Sequence, residues 1–365
     1  MTRTPIIRTF IACGLMLAAA PVDAQILSGG AASRARSLVE QGDDRAARQV
    51  LERADRLSPE GAYLLGMLCE EGRGGPRDLS AAVRAYSVAA QAGYADAQYA
   101  LGRLILVGET GAPDAAPDPA GAADWFALAV EQGQAEAMVA LARLHAEGRG
   151  VAIDEVYAAD LFERAARLGN AEAAYELARA FQLGRGRAQS FDRARGWYEE
   201  AVAAGHPEAS YRFGLLLRAG LGGPQDPSRA EQLIRYAAGE GVPPAMTAVG
   251  VMELKSPGGD PEVRAARAAD WFERAAEAGD DEGTFLLAVV YAQGRGRPMD
   301  RDKALELVEA SLAAAPGDLN PRERAARVAL RDALLAPPVS ADEVLAEEGD
   351  ETAAEAPSPE DVDGL

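Results

Sequence analysis

The sequence predicts an all-α fold, a solenoid of about seven helix pairs with capping helices at its ends. Three observations carry this prediction. A small residue recurs at Gly66, Gly102, Ala142, Ala178, Gly214, Gly250 and Ala288, at intervals of 36, 40, 36, 36, 36 and 38 residues. Apolar residues lie three and four positions from each of them, the period of one buried helix face. A second amphipathic stretch with an aromatic pair and paired alanines follows, as in AADWFALAVEQG (122–133) and AADWFERAAEAG (268–279). Self-similarity at such a period is the mark of stacked two-helix units, so function is expected on an extended surface rather than in one catalytic cleft.

The elements follow in chain order. Arg3 and Arg8 precede an apolar run from Phe10 to Ala20, and Val22 and Ala24 stand at −3 and −1 of a cleavage site. Residues 1–24 therefore read as a signal peptide cut after Ala24, which implies a periplasmic or secreted protein. The run is too short for a membrane span, and no later run approaches the roughly 20 apolar residues a span needs, so no direct transmembrane anchor is expected. Cys13 sits inside the run rather than at its end, which favours ordinary cleavage over lipidation. Cleavage leaves Cys69 as the one cysteine. Its place beside Leu68 in an apolar helix marks a small packing residue rather than a nucleophile.

Residues 25–59 hold two further amphipathic stretches, AASRARSLVEQG (31–42) and DRAARQVLERADRLSP (44–59), read as a helix pair that precedes the first clear repeat. Residues 60–314 form the repeat array. Its first helices include AYLLGMLCEEGRG (62–74), AMVALARLHAEGRG (137–150) and TFLLAVVYAQGRG (284–296). Glycine inside a helix costs about 1 kcal/mol relative to alanine, so its recurrence at 66, 102, 214 and 250 predicts a close helix contact that a larger side chain would spoil. Each first helix meets a glycine such as Gly72, Gly148, Gly184, Gly220 or Gly294, with another two residues on, and these end the helix and turn the chain. A GxG that follows a helix rather than a strand is no phosphate cradle.

Asp78, Asp154, Asp226 and Asp300, with Ser190 in the same place, precede the second helices and are expected to be N-caps, not catalytic or metal-binding acids. Trp125, Trp197 and Trp271, with Phe126, Phe162, Tyr198 and Phe272, are expected in the packing between helices rather than in a ligand cage. Glycines at 93, 133, 169, 205, 241 and 279 close the second helices.

These motifs resemble Sel1-like repeats, relatives of the tetratricopeptide repeat. The likeness is best at 97–104, 137–169, 173–205, 209–241 and 284–305, and covers about 60–314. It departs at GETGAPDAAPDPAG (108–121) and KSPGGDPEVRAAR (255–267). The resemblance implies a right-handed α/α superhelix, a tetratricopeptide-like character for the 25–59 pair, and a role as a scaffold or adaptor in secretion, envelope assembly or signalling.

Asn320, Pro321 and Glu323 open a C-terminal capping helix within 315–336, combining an N-cap, a first-turn proline and a capping-box acid. Residues 337–365 read as a disordered acidic tail: from Ser340 to Leu365 there are ten acidic residues and no lysine or arginine. The whole chain carries a net charge of −20, and loss of Arg3, Arg8 and Asp23 with the signal peptide makes it −21. Such a balance argues against nucleic acid and anionic lipid as partners.

The polar signal that survives is a set of arginines. Arg73, Arg149, Arg185 and Arg295 each sit between the two glycines of a repeat, and Arg103, Arg143 and Arg179 follow the recurring small residue. Equivalent positions align along a solenoid, so both sets are candidate partner-binding stripes. His145 stands where a later repeat has Tyr291, and His206 lies at a helix boundary. Neither belongs to a compact ligand motif, and two histidines with one cysteine make a poor zinc set. The sequence thus points to no catalytic residue, cofactor or metal. The leading reading is a non-catalytic periplasmic scaffold that binds a protein partner, regulating an envelope sensor, secretion or assembly complex. The alternative is binding or processing of an envelope glycan or peptidoglycan fragment.

Overall fold

The computed structural model describes residues 22–112, 115–314 and 319–336. Of the expected signal peptide, only Val22 to Ala24 fall among them, at the start of the first helix, and the acidic tail 337–365 lies outside the described residues. Seventeen helices and no strand occur among the described residues, an all-α repeat fold.

The chain divides into two compact units, Met1–Tyr236 and Ala237–Leu365. The first opens with α1 (Val22–Glu40) and α2 (Asp44–Glu52). Helix pairs follow: α3 (Pro59–Glu71) with α4 (Leu79–Gln91), α5 (Ala95–Val107) with α6 (Pro119–Glu131), α7 (Ala135–Glu147) with α8 (Glu155–Arg167), and α9 (Ala171–Leu183) with α10 (Phe191–Ala203). Next come α11 (Pro207–Ala219) and α12 (Pro227–Gly239), and the division falls within α12. The second unit contains α13 (Pro243–Lys255), α14 (Pro261–Glu277), α15 (Asp281–Gln293), α16 (Arg301–Ala314) and α17 (Pro321–Leu335).

Side chains define the helix starts. Asp78, Asp154 and Ser190 accept a hydrogen bond from the third backbone N–H of α4, α8 and α10, and Asp226 and Asp300 do so for α12 and α16. Each such cap stabilises its helix by about 1 kcal/mol. Asp118 does the same for α6 inside the insertion that lengthens the second interval. Where the pattern departs before Ala268, Asp260 caps α14 early, and the helix gains a turn to reach 17 residues against 13 for α4, α6, α8 and α10. Asn320 and Glu323 complete a capping box on α17.

The recurring small residue marks where a first helix meets a bulky residue of the second. A Cβ on Gly66 would stand 2.6 Å from the Tyr86 ring, one on Gly102 2.7 Å from Phe126, and one on Gly214 2.8 Å from Ile234. In the second unit Gly250 meets Phe272 in the same way. Tyr86, Phe126, Tyr198, Ile234 and Phe272 are all at most 2 % exposed. Burying each such side chain contributes about 1.5–3 kcal/mol, so these contacts are the main apolar centres of the pairs. The tryptophans are less central than expected. Trp125 is buried, but Trp197 and Trp271 are half-buried, and the adjacent Tyr198 and Phe272 take the inner place.

A second contact joins one repeat to the next. At Gly150 the backbone is left-handed (φ 72°), and a Cβ there would lie 2.5 Å from the Pro119 carbonyl carbon and 2.8 Å from its Cβ. Gly74, Gly186 and Gly222 face the first turns of α2, α8 and α10 in the same manner, as Gly296 faces α14. The second glycine of each loop therefore serves as an inter-repeat contact as well as a turn residue.

Candidate functional site

The loop arginines have unequal surroundings. Arg73 donates two hydrogen bonds to Asp44, at 2.9 and 2.8 Å, and reaches Glu71 at 3.3 Å. Its guanidinium holds the Asp44 carboxyl below the usual carboxylate range. Arg149 approaches Glu147 at 3.4 Å. Arg185 is exposed and has no carboxylate partner among the described residues, and the same holds for Arg295 in the second unit. The row is not a uniform positive ridge: its first member is fixed by the preceding helix, while Arg185 and Arg295 face solvent.

The helix arginines belong to a charge lattice across neighbouring first helices. Arg103 pairs with Glu70, which also accepts a 2.9 Å hydrogen bond from the buried Tyr86 hydroxyl. Burial and the Glu70 charge push the Tyr86 phenol up. Arg143 pairs with Glu172 and lies 3.4 Å from Glu176, which in turn holds Arg179 at 2.9 Å. Tyrosines share this face, with Arg179 5.7 Å from the Tyr175 ring centre. Three of the candidate arginines thus have their charge already matched within unit one.

Other arginines bind repeat to repeat, and sequence reasoning missed them. Arg187, directly after the second loop glycine, reaches back to Asp160 and Glu163 on α8. Arg297 makes the same contacts with Asp270 and Glu273 on α14. Where the loop has glycine instead, at Gly75 and Gly223, the arginine comes from the helix: Arg48 and Arg195 each donate a 2.9 Å hydrogen bond to the carbonyl of Pro76 and Pro224. The opposing helix position holds the buried Ala159 or Ala269 where the loop supplies the arginine. One guanidinium crosses each of these four junctions, from either side. The repeated GRGR at 184–187 and 294–297 was the available signal, and the reciprocal exchange with Arg48 and Arg195 was not visible without the register.

The remaining candidates have structural surroundings. His206 caps α11, with Nδ1 accepting from the Ala209 N–H at 3.3 Å, while Nε2 lies 3.2 Å from Glu172 and the ring stacks on Tyr175. That hydrogen bond, with Arg143 beside it, holds the Glu172 carboxyl below the usual range against the opposing effect of burial. His145 packs edge-on to Tyr157, with Nδ1 3.1 Å from the Ala152 carbonyl oxygen. Cys69 is 1 % exposed, and burial pushes its thiol up. It borders an open cleft of about 450 Å³ with Arg48, Glu52, Asp78 and Arg84. Arg48 is bonded to Glu52 and the Pro76 carbonyl, and Asp78 caps α4, so much of that polar lining is already engaged. Among the described residues no three His, Cys, Asp or Glu side chains gather to hold a metal ion, and no helix is long and apolar enough to cross a membrane.

Comparison with known proteins follows the same repeat register. The Sel1 repeat profile matches seven times, at residues 59–94, 95–134, 135–170, 171–206, 207–242, 243–280 and 281–313. The crystal structure of a Sel1 repeat protein from Oxalobacter formigenes is similar at a TM-score of 0.61 with 26 % identity, over 67 % of this chain and 96 % of that one. The structure of c5321, a protective antigen of uropathogenic Escherichia coli strains with an SLR fold, is similar at a TM-score of 0.57 and 18 % identity, over 91 % of this chain and 88 % of that one. No curated protein matches the chain.

Proposed function

The chain belongs to the Sel1 repeat family, and from that premise we propose that it is a non-catalytic interaction scaffold of the bacterial envelope, exported by residues 1–24 and active in the periplasm. Repeat proteins of this kind generally mediate protein–protein interactions. The observation that carries the reading is the use of the recurring chemistry. Acids cap helices, aromatics fill the repeat centres, and glycines let repeats approach, while the first helices also carry the half-buried Tyr99, Tyr175 and Tyr211 together with Arg103, Arg143, Arg179 and Arg212. Tyrosine and arginine are the side chains most often found at the energetic centres of protein interfaces. On this reading residues 25–59 and 315–336 cap the array, and the tail 337–365 keeps the protein soluble. A sensor, secretion or assembly complex of the envelope is the partner class, held in place by the scaffold without a change in covalent bonds.

Photo-crosslinking in the periplasm tests this. A crosslinkable residue at position 103 or 143 is expected to capture a discrete protein, and the same group on the opposite helices, at Glu131 or Arg167, is expected not to. Capture from both faces alike, or selective retention on purified cell-wall fragments with no protein complex, refutes the scaffold reading. Charge reversal at Arg185 together with Arg149 asks whether the loop row takes part.

A further inference from the structure

The repeat register places like charges together at one position in unit one. Arg143 on α7 lies 3.4 Å from Glu176 on α9. Both positions advance by 36 residues in the next repeat, where the residues are Arg179 and Arg212. The register that brings Arg143 to Glu176 between α7 and α9 therefore puts Arg179 and Arg212 at the matching positions of α9 and α11. Arg212 is exposed, lies 5.9 Å from the Tyr211 ring centre, and has no carboxylate partner among the described residues. Arg179 is held by Glu176, which Arg143 also approaches.

The surroundings of the two positions are as follows. The Tyr198 hydroxyl donates a 2.6 Å hydrogen bond to Gln182. Burial and Tyr175 push the Tyr198 phenol up, and the positive charges of Arg212 and Arg179 oppose that shift. Glu208, which corresponds to Glu172 in the preceding repeat, lies 3.3 Å from His206 Nδ1 and is not paired with either arginine.

We propose that the adjoining faces of α9 and α11 bind an acidic peptide segment of a protein partner, with one of its carboxylates lodged between Arg179 and Arg212 where the preceding repeat supplies Glu176. The guanidinium forks match a carboxylate in charge and in planar hydrogen-bond geometry, and Tyr175 and Tyr211 flank them with flat apolar area. This proposal rests on the scaffold reading and narrows it to one partner chemistry.

The test uses the full chain lacking only the signal peptide, and a fluorescein-labelled peptide of alternating Glu and Ser with both ends blocked. A peptide of alternating Lys and Ser is the control. Fluorescence anisotropy is expected to show binding of the acidic peptide alone, weakening as salt rises. Arg212→Glu places a carboxylate opposite Arg179, repeating the Arg143 and Glu176 pairing, so its thermal midpoint is expected to equal or exceed the wild type. Its affinity for the acidic peptide is expected to fall by about tenfold or more, since it removes one attractive charge and adds a repulsive one. Arg56→Glu changes net charge equally at an exposed residue outside both arginine rows and is expected to leave affinity within about twofold, the size of a long-range charge effect under screening. Equal losses in the two variants, or no acidic-peptide binding by the wild type, overturn the proposal. If Arg212→Glu disturbs the circular dichroism spectrum, Arg212→Gln carries the comparison. Photo-crosslinked capture of a partner that persists in Arg212→Glu removes this site and leaves the scaffold reading standing, whereas absence of capture by the wild type removes the scaffold reading itself.

Discussion

Gly150 and Gly133 provide a direct measure of what holds adjacent repeats together. Both have left-handed backbones, with φ of 72° and 84°. They differ in what a side chain meets: nothing lies within 4 Å of a Cβ at Gly133, while one at Gly150 falls 2.5 Å from the Pro119 carbonyl carbon. Alanine in that conformation costs about 1–2 kcal/mol. The stiffer unfolded chain costs the variant a little less on folding, an offset of about 0.4–1 kcal/mol. Gly133→Ala is therefore expected to destabilise by about 1 kcal/mol, the difference between those two terms. Gly150→Ala carries the same terms plus the overlap with a backbone that cannot rotate aside, which adds about 1–3 kcal/mol by the usual scale of overpacking. Equilibrium urea unfolding followed by circular dichroism measures the difference. With a slope near 2 kcal/mol per molar, a further 2 kcal/mol lowers the midpoint by about 1 M. A smaller slope in Gly150→Ala alone would indicate that the repeats on either side now unfold separately, as nearest-neighbour coupling in a repeat array requires. Equal midpoints for the two variants would refute the claim that the second loop glycine is an inter-repeat contact.

Three more predictions concern the charges and the thiol. Arg187→Ala, which loses contacts to Asp160 and Glu163 from a side chain only 17 % exposed, is expected to cost about 1 kcal/mol. Arg185→Ala, two residues away, should stay within about 0.5 kcal/mol of the wild type. A double-mutant cycle with Asp160→Asn isolates the coupling, and zero coupling would sink the assigned role. Glu172 has its folded pKa depressed by the His206 hydrogen bond and by Arg143, so it contributes stability above the ordinary carboxylate value, and this contribution is lost as pH falls through the depressed folded value. The stability gap between wild type and Glu172→Gln is thus expected to be present at neutral pH and to close on acidification, and a gap that widens below pH 4 contradicts the assignment. Cys69, 1 % exposed with its thiol pushed up, is expected to resist alkylation by iodoacetamide until urea unfolds the protein. Labelling of the folded chain at the rate of a free thiol would show that α3 opens locally.

The repeat fold was legible because its signals are local and redundant. Asp154 is three residues from the N–H it caps, and Gly102 recurs in a helix where glycine is costly, so each reports its role within a short window. Repetition then supplied what a single window lacks, since chemistry copied at every turn of an array is more economically a packing rule than an active site. The tryptophans show the limit of this reasoning. Trp197 and Tyr198 are neighbours in an amphipathic stretch, and the hydrophobic pattern alone does not say which of the two points to the centre. The structure gives the inner place to Tyr198, whose hydroxyl has Gln182 as an acceptor, while Trp197 is half-buried.

The arginines were harder because a guanidinium is defined by a partner distant in sequence. Arg73, Arg185 and Arg187 lie in equivalent or adjacent loop positions, yet Asp44 holds the first, solvent surrounds the second, and α8 binds the third. The same distinction separates Arg143 from Arg212. Both belong to first helices, but the register carries a glutamate to one and another arginine to the other. In a repeat array the informative departure is therefore a break in pairing rather than a break in residue type. Structural charges come in pairs that the register preserves or exchanges, as Arg48 and Arg187 do across their junctions. Arg212, whose register partner Arg179 has the same sign and is itself held by Glu176, lacks that compensation, and on the proposed reading this leaves it to bind an oppositely charged group from outside the chain.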